Sequence, residues 1–331
     1  MKTLLYILLF VMLSPVVNAG CISGNCEDGI GTYTNDKGEK YEGEWRNGLA
    51  EGQGRYTNLR GDEYVGAWTE GRMEGYGVYR YASGKVYKGE FIDYTLHGYG
   101  EMTFPNGSTF EGEYENGRRN GYGVLKKSNG VVYAGEWKDG KKHKYGKYTM
   151  SNGDTYHGEF LEDAFDGYGI YARADGDFYK GHYQNGQRSG YGEFYSTDGV
   201  TIKGNWANGK IHGKASYSYA NGSFYYGDFV FGVKSGHGDL KWADGAHYIG
   251  KFKNDKPHGK GWKKYPNGDV YSGDFSYGLK DGKGVLKQPS GDSYNGDWRQ
   301  GKKHGEAVCR FNGKRYKCQW TNDQLTDYSP L

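Results

Sequence analysis

Three groups of side chains in this 331-residue sequence could carry chemistry: four cysteines, a set of histidines and a dense basic stretch. Cys21, Cys26, Cys309 and Cys318 allow three disulfide connectivities, or a single tetrathiolate zinc site. His97, His143, His212, His258 and His304 are candidate metal ligands. Gly291-Asp292-Ser293 has the look of an esterase nucleophile block, and several Gly-x-Gly segments suggest a dinucleotide fingerprint. Carboxylates at Glu44, Glu90, Glu113, Glu136, Glu159, Asp228, Asp274 and Asp297 could meet calcium or a basic partner. Between residues 118 and 147, nine basic side chains (Arg118, Arg119, Lys126, Lys127, Lys138, Lys141, Lys142, Lys144 and Lys147) face two acidic ones, Glu136 and Asp139. Such a cluster could meet anionic lipid headgroups at about 1 kcal/mol per basic residue near the surface.

The elements that must position these groups repeat. An aromatic-x-Gly-x-aromatic unit starts at Tyr41 and recurs every 23 residues to Tyr294, followed by a degenerate copy, Tyr316-Cys318-Trp320, one residue early. A fixed period of this size marks a stacked array of like units. It also explains the composition: 59 glycines, 34 tyrosines and only 6 prolines. Disordered chains lack aromatics, whereas here they make up 17% and fall in phase, so an ordered chain is expected.

Each unit has two halves. The first, such as Tyr41-Glu42-Gly43-Glu44-Trp45, alternates with the period of a half-buried strand and ends at a turn such as Asn47-Gly48, where positive φ is cheap. The second carries Gly-x-Gly-x-apolar, as in Gly75-Tyr76-Gly77-Val78-Tyr79, and ends at a turn such as Pro105-Asn106-Gly107. Two alternating segments with two turns per period predict a run of β-hairpins. A glycine at the centre of each strand needs a packing reason. On the aromatic face it leaves a slot where a ring lies directly on backbone, predicting a stripe through Tyr41, Trp45, Tyr64, Trp68, Tyr133, Trp137, Tyr294 and Trp298.

Tyr-x-Gly-x-Trp/Phe, an Asn/Asp-Gly turn and His-Gly-x-Gly together resemble the MORN repeat family over residues 24–320. The resemblance implies an all-β protein, an elongated single-layer twisted sheet of about thirteen 23-residue hairpins. It departs from the pattern at Lys144, Ile202, Ala215, Ala307 and Cys318. MORN arrays also resemble the non-catalytic parts of plant phosphatidylinositol phosphate kinases and of a SET-type methyltransferase. Here the repeats fill the chain and leave no room for either catalytic domain, so no enzyme is expected.

At two strands per unit and about 4.8 Å per strand, thirteen units form a ladder roughly 120 Å long. That length separates the candidates. Cysteines at opposite ends cannot meet within one molecule, which leaves Cys21 with Cys26 and Cys309 with Cys318. The histidines share one slot and the nearest are two repeats apart, roughly 19 Å, too far for shared ligation. No helix pattern follows any Gly-x-Gly, and Gly291-Asp292-Ser293 fills a turn also written Gly153-Asp154-Thr155. The acidic column reads as a solvated face that keeps the sheet soluble.

Met1 to Ala19 differ from everything after them: Lys2, a ten-residue apolar run from Leu4 to Leu13, then Val17-Asn18-Ala19, the pattern of a secretory signal peptide. The rival is lipoprotein processing at Cys21, with Asn18 where that motif wants Leu. The expected organisation is signal peptide 1–19, array 20–320 and C-terminal tail 321–331. A net charge of +3 implies no nucleic-acid partner. The expected function is a non-enzymatic scaffold of the cell envelope, periplasm or exterior that binds a protein partner without a cofactor. Binding of anionic phospholipid is the alternative. The family resemblance further implies a homodimer through terminal repeats.

Overall fold

The computed structural model describes residues 19–331, so all but the last residue of the predicted signal peptide lies outside the described residues. All regular structure described is β: twenty-eight strands, from Gly20–Gly24 to Gln324–Pro330. The chain divides into two compact units, the first ending at Ser151 and the second spanning Asn152–Leu331. Within the first, consecutive strands pair antiparallel as a meander of hairpins. The second repeats that arrangement.

From Lys40 to Lys287 each repeat joins a seven-residue aromatic strand, such as Lys40–Arg46, to a nine-residue glycine strand, such as Leu49–Thr57. The two-residue turn between them holds both residues at positive φ, 50° at Asn47 and 73° at Gly48. This mirror-image turn matches the right-handed twist of the flanking strands. The next turn closes on Gly61 at φ 85°, whose amide donates to the Asn58 carbonyl at 3.0 Å.

Every such hairpin carries a bulge. Gly43 faces Gly54, but the next partners are Glu44 and Glu51, so Gly52 and Gln53 are two extra residues on the glycine strand. The first glycine of each Gly-x-Gly thus lies in the left-handed region, at φ 63° in Gly52 and 71° in Gly121. A bulge leaves a ladder amide unpaired. The acidic column supplies its partner: the amides of Gln53, Tyr122, Tyr168 and His237 donate to Glu44, Glu113, Glu159 and Asp228 at 2.9–3.1 Å. These carboxylates are hydrogen-bonded parts of the repeat, a role beyond the solvated face expected of them.

The second glycine of the motif pairs with the glycine of the aromatic strand, and the tyrosine two residues before that strand's glycine folds over the pair. A Cβ added at Gly66 would lie 2.5 Å from the Gly77 Cα and 2.6 Å from the Tyr64 hydroxyl oxygen. The slot inferred from sequence is therefore filled by a ring of the same strand. Tyr64 is fully buried, and its hydroxyl donates to the Ala67 carbonyl at 2.8 Å. Burial pushes that hydroxyl up to about 12.

The predicted tail requires correction. Residues Gln324–Pro330 form a strand on Lys314–Thr321, making the second half of the degenerate last repeat. Asn322 and Asp323 form its positive-φ turn, and Asp323 anchors it by accepting the Lys303 amide at 2.8 Å. The segment lacks Gly-x-Gly, so its sequence carries no repeat signature, and all seven of its residues are exposed.

Candidate binding surface

The aromatic face of each unit is a zigzag of edge-to-face rings. In the first unit Tyr41 meets Trp45 and Trp68, both at 5.0 Å. Tyr64 then meets Trp68 at 5.4 Å and Phe91 at 5.0 Å, and the series runs on to Tyr133 and Trp137 at 5.1 Å. In the second unit the same pattern ends at Tyr294, which meets Trp298 at 5.1 Å and Trp320 at 5.8 Å. Tryptophans tie adjacent hairpins together. The indoles of Trp45, Trp137 and Trp298 donate to the carbonyls of Gly31, Gly123 and Gly284 at 3.1–3.2 Å. Edge-to-face geometry contributes about 0.5–1.5 kcal/mol per pair beyond area burial, so the stripe is first of all the core of the fold.

What lies over the rings changes along the chain. The slot directly after each two-residue turn's first strand residue holds Ala50, Met73 and Leu96 in the first repeats. There the face opens into two cavities of about 560 and 580 Å³. One is lined by Tyr79, Phe91, Tyr94, Leu96 and Met102, the other by Tyr41, Leu49, Trp68 and Met73. Further on the slot is basic except at Phe165, Ile211 and Pro257. Arg119 lies 4.1 Å from the Trp137 ring centre, Lys280 3.7 Å from Trp298 and Lys303 4.4 Å from Trp320. Burial lowers Lys280 to about 8, and the neighbouring Lys303 and Lys263 act in the same direction.

The nine basic residues of the 118–147 stretch do not form one patch. Arg119 and Lys142 lie over rings of the aromatic face. Arg118 pairs with Asp139 at 3.5 Å. Lys144 occupies the bulge position otherwise held by glycine, at φ 48°, and its ammonium meets Glu136 at 3.3 Å. Lys126, Lys127, Lys138, Lys141 and Lys147 are exposed.

Cys21 and Cys26 are disulfide-bonded, with Cα atoms 5.9 Å apart. The predicted Cys309–Cys318 disulfide is not formed: both are buried thiols. The register is the expected diagonal one, Cys309 opposite Tyr316 and Cys318 opposite Ala307. The Trp320 indole donates to the Cys309 sulfur at 3.3 Å. Burial, with Cys309 alongside, pushes the Cys318 thiol up to about 12, which keeps it protonated and unreactive.

The histidine slot is a structural one. Where it holds Glu51, Asp166 or Asp281, the side chain accepts the turn amide of the next repeat at 2.9–3.1 Å. His212, His258 and His304 instead bury an Nδ1 without a partner, and the first two rings rest on Phe231 and Tyr277. No three His, Cys, Asp or Glu side chains among the described residues converge as a metal site. Asp292 of the esterase-like triplet accepts the Asn312 amide at 3.0 Å, one rung of a loop-to-loop ladder that Asp154 repeats with Ala174.

Hairpins of one 23-residue design, closed by an aromatic ring over paired glycines, define a β-repeat protein with an aromatic face. The MORN repeat profile matches twelve successive segments from 41–59 to 294–313, and the chain belongs to the MORN repeat family. No curated protein matches it. Among solved structures it is similar to the TCP domain of SAS-4 from Drosophila melanogaster in complex with a proline-rich motif of Ana2, at 13% identity and a TM-score of 0.28. That match covers 54% of this chain and 85% of the other. The wild-type TCP10 domain of Danio rerio CPAP matches at 13% identity and a TM-score of 0.19, over 81% of this chain and 99% of that one. Likenesses this weak carry no argument about function.

Proposed function

We propose that the chain is a non-enzymatic repeat scaffold, exported to the cell envelope or beyond, that binds a protein partner through the aromatic face of its first unit. The supporting observation is the pair of cavities there, whose mixed walls carry the apolar side chains Leu49, Met73, Tyr94 and Leu96 beside Lys85, Arg119, Glu39 and Arg60. Leu49 and Tyr94 are exposed there. Open apolar surface of this kind marks a contact site more often than a bare solvent face. A photo-crosslinking residue at Leu96, with Ile92 on the opposite face as control, tests the reading in native envelopes. An adduct with a protein from Leu96 and none from Ile92 is expected; equal labelling, or none from Leu96, refutes it. N-terminal sequencing of the cellular protein checks export, with a mature end at Gly20 expected, and mass spectrometry distinguishes acylated Cys21.

The wholly exposed edge strand Gln324–Pro330 supports homodimerisation through terminal repeats, because its unpaired amides and carbonyls can template a second copy. Light scattering of the wild type against Tyr328→Pro decides this: a dimer only in the former is expected. The second reading, peripheral binding to anionic phospholipid, is favoured by the exposed Lys126, Lys127, Lys138 and Lys147. Salt-sensitive flotation with anionic vesicles supports it, and no flotation at low salt removes it.

A further inference from the structure

The face opposite the core rings carries a second aromatic pattern. Seven consecutive strands of the first unit each contribute one side chain to a line running across the sheet: Tyr76, Glu90, Tyr99, Glu113, Tyr122, Glu136 and Tyr145. The register pairs Tyr76 with Glu90, Tyr99 with Glu113 and Tyr122 with Glu136, and across the bulge between pairs the Tyr122 amide reaches Glu113. The four tyrosines sit between the two glycines of their motif and are 55–63% exposed. They pack no core. A buried-ring role is therefore absent, and four exposed rings in one row form an aromatic surface of the kind that marks recognition.

Their spacing selects the ligand. Tyrosines on every second strand stand about 9.6 Å apart, twice the distance between neighbouring strands. A polyproline II helix turns once every three residues and rises about 9.3 Å per turn. Over the three intervals from Tyr76 to Tyr145 the two periods drift apart by only about 1 Å. An α-helix repeats a face every two turns, about 10.8 Å, and drifts by about 3.6 Å over the same span. An extended strand repeats its face about every 6.7 Å and falls out of phase at once.

Charge adds a second requirement. A carboxylate stands between successive tyrosines, and Glu101 and Glu111 pair with each other in the next row. The Tyr99 hydroxyl donates to Glu111 at 2.7 Å, and Glu113 spends one oxygen on the Tyr122 amide. Its other oxygen is left for a cation. We propose that this outer face of the first unit binds a basic, proline-rich segment of a partner protein as a polyproline II helix. Prolines stack on Tyr76, Tyr99, Tyr122 and Tyr145, and lysine or arginine reaches Glu90 and Glu113 between them, Glu136 being already met by Lys144. Aromatic rows that dock a preformed polyproline helix gain affinity because the ligand loses little entropy.

The test uses the purified mature chain and a labelled twelve-residue peptide repeating Pro-Pro-Lys, read by fluorescence anisotropy. Control peptides repeat Gly-Ser-Lys, with the same charge but no polyproline helix, and Pro-Pro-Glu. Saturable binding of the Pro-Pro-Lys peptide alone is expected. Tyr99→Ala combined with Tyr122→Ala should weaken it about tenfold, since each exposed ring is one of several anchors. Tyr99→Phe combined with Tyr122→Phe should retain it. These side chains are exposed, so an unchanged thermal melt shows that the variants fold. Equal binding of the Gly-Ser-Lys peptide, indifference to the alanine pair, or displacement by a β-1,4-linked oligosaccharide overturns the proposal. Leu96 crosslinking reports on the opposite face, so failure here leaves the protein-binding reading above to stand or fall separately.

Discussion

The same inner slot tells two stories in the two units. In the first it opens with Ala50, Met73 and Leu96 over a hollow and turns basic at Arg119 and Lys142; in the second, Arg188, Lys234, Lys280 and Lys303 lie over rings, with Phe165, Ile211 and Pro257 in the slots between. The outer lysines of the second unit behave differently again. Lys214, Lys260 and Lys283 meet Asp228, Asp274 and Asp297 at 2.9–3.1 Å. Lys234, Lys280 and Lys303 form no ion pair among the described residues and rest on aromatic faces instead. A cation over a ring is held by the ring quadrupole while its stem covers apolar surface, so the slot tolerates methionine or lysine with the backbone unchanged. The repeat thus separates what folds, the tyrosine over two glycines, from what varies and can recognise.

The strongest way to break that separation is to attack the clamp in either unit. Gly66→Val and Gly273→Val each drive a side chain into paired backbone and the overlying tyrosine, at approaches of 2.4–2.6 Å. Each should cost about 3 kcal/mol or more. Hydrogen exchange should show lost protection centred on the altered repeat and its neighbours, as expected when stability is a sum over adjacent units. Uniform loss through the whole unit would mean that it is one cooperative globule.

The chain ends sharpen the comparison next. Reductant opens Cys21–Cys26, a small loop worth about 2 kcal/mol in the chain-entropy model, and has no bond to break at Cys309 and Cys318. Faster exchange is therefore expected near residues 21–45 and no change near 300–320. Acceleration at the C-terminal hairpin would mean that the second pair is oxidised in solution.

Lys144 is the place where variation enters the fold itself. Lys144→Gly relieves a left-handed lysine at φ 48° and gives up only an exposed ion pair with Glu136. A gain of about 1 kcal/mol is expected by thermal unfolding. A loss would show that the ion pair outweighs the backbone.

The smallest effect concerns Lys280. Its folded value of about 8 lies below that of an unfolded lysine, so at this site the unfolded chain binds more protons between these values and the contribution of Lys280 to stability rises with pH from about 8 to 10. Solvent at this partly open site screens the gain to about 1 kcal/mol or less. Lys280→Met should remove that contribution, read as a wild-type-minus-variant stability difference that grows from about pH 8 to 10. A difference that stays constant over this range refutes it.

Much of the architecture was legible from the residues. Alternation around Tyr41-Gly43-Trp45 reports strands, Asn47-Gly48 reports a mirror-image turn, and the 23-residue spacing reports like units, because each is written in neighbouring positions. The bulge was not legible. Both glycines of Gly52-Gln53-Gly54 fit an alternating strand, and only the partner strand reveals that the first lies outside the ladder. The acidic column followed the same fate, since Glu44 looks solvated until the amide of Gln53, nine residues away, turns toward it. Gln324–Pro330 folds as a strand without any repeat signature, because an adjacent edge offers it hydrogen-bond partners whatever its side chains.

What the sequence determined by itself is the repeat: tyrosine, glycine and turn at fixed spacing, each fixed by local backbone preference and side-chain alternation. Tertiary structure decided which face each remaining group occupies. Arg119 and Lys142 lie on rings while Lys144 meets a carboxylate, and Tyr76, Tyr99, Tyr122 and Tyr145 form a row. That outcome depends on cross-strand register and on a two-residue bulge, and both are set by hydrogen bonds to other strands rather than by neighbours in the chain.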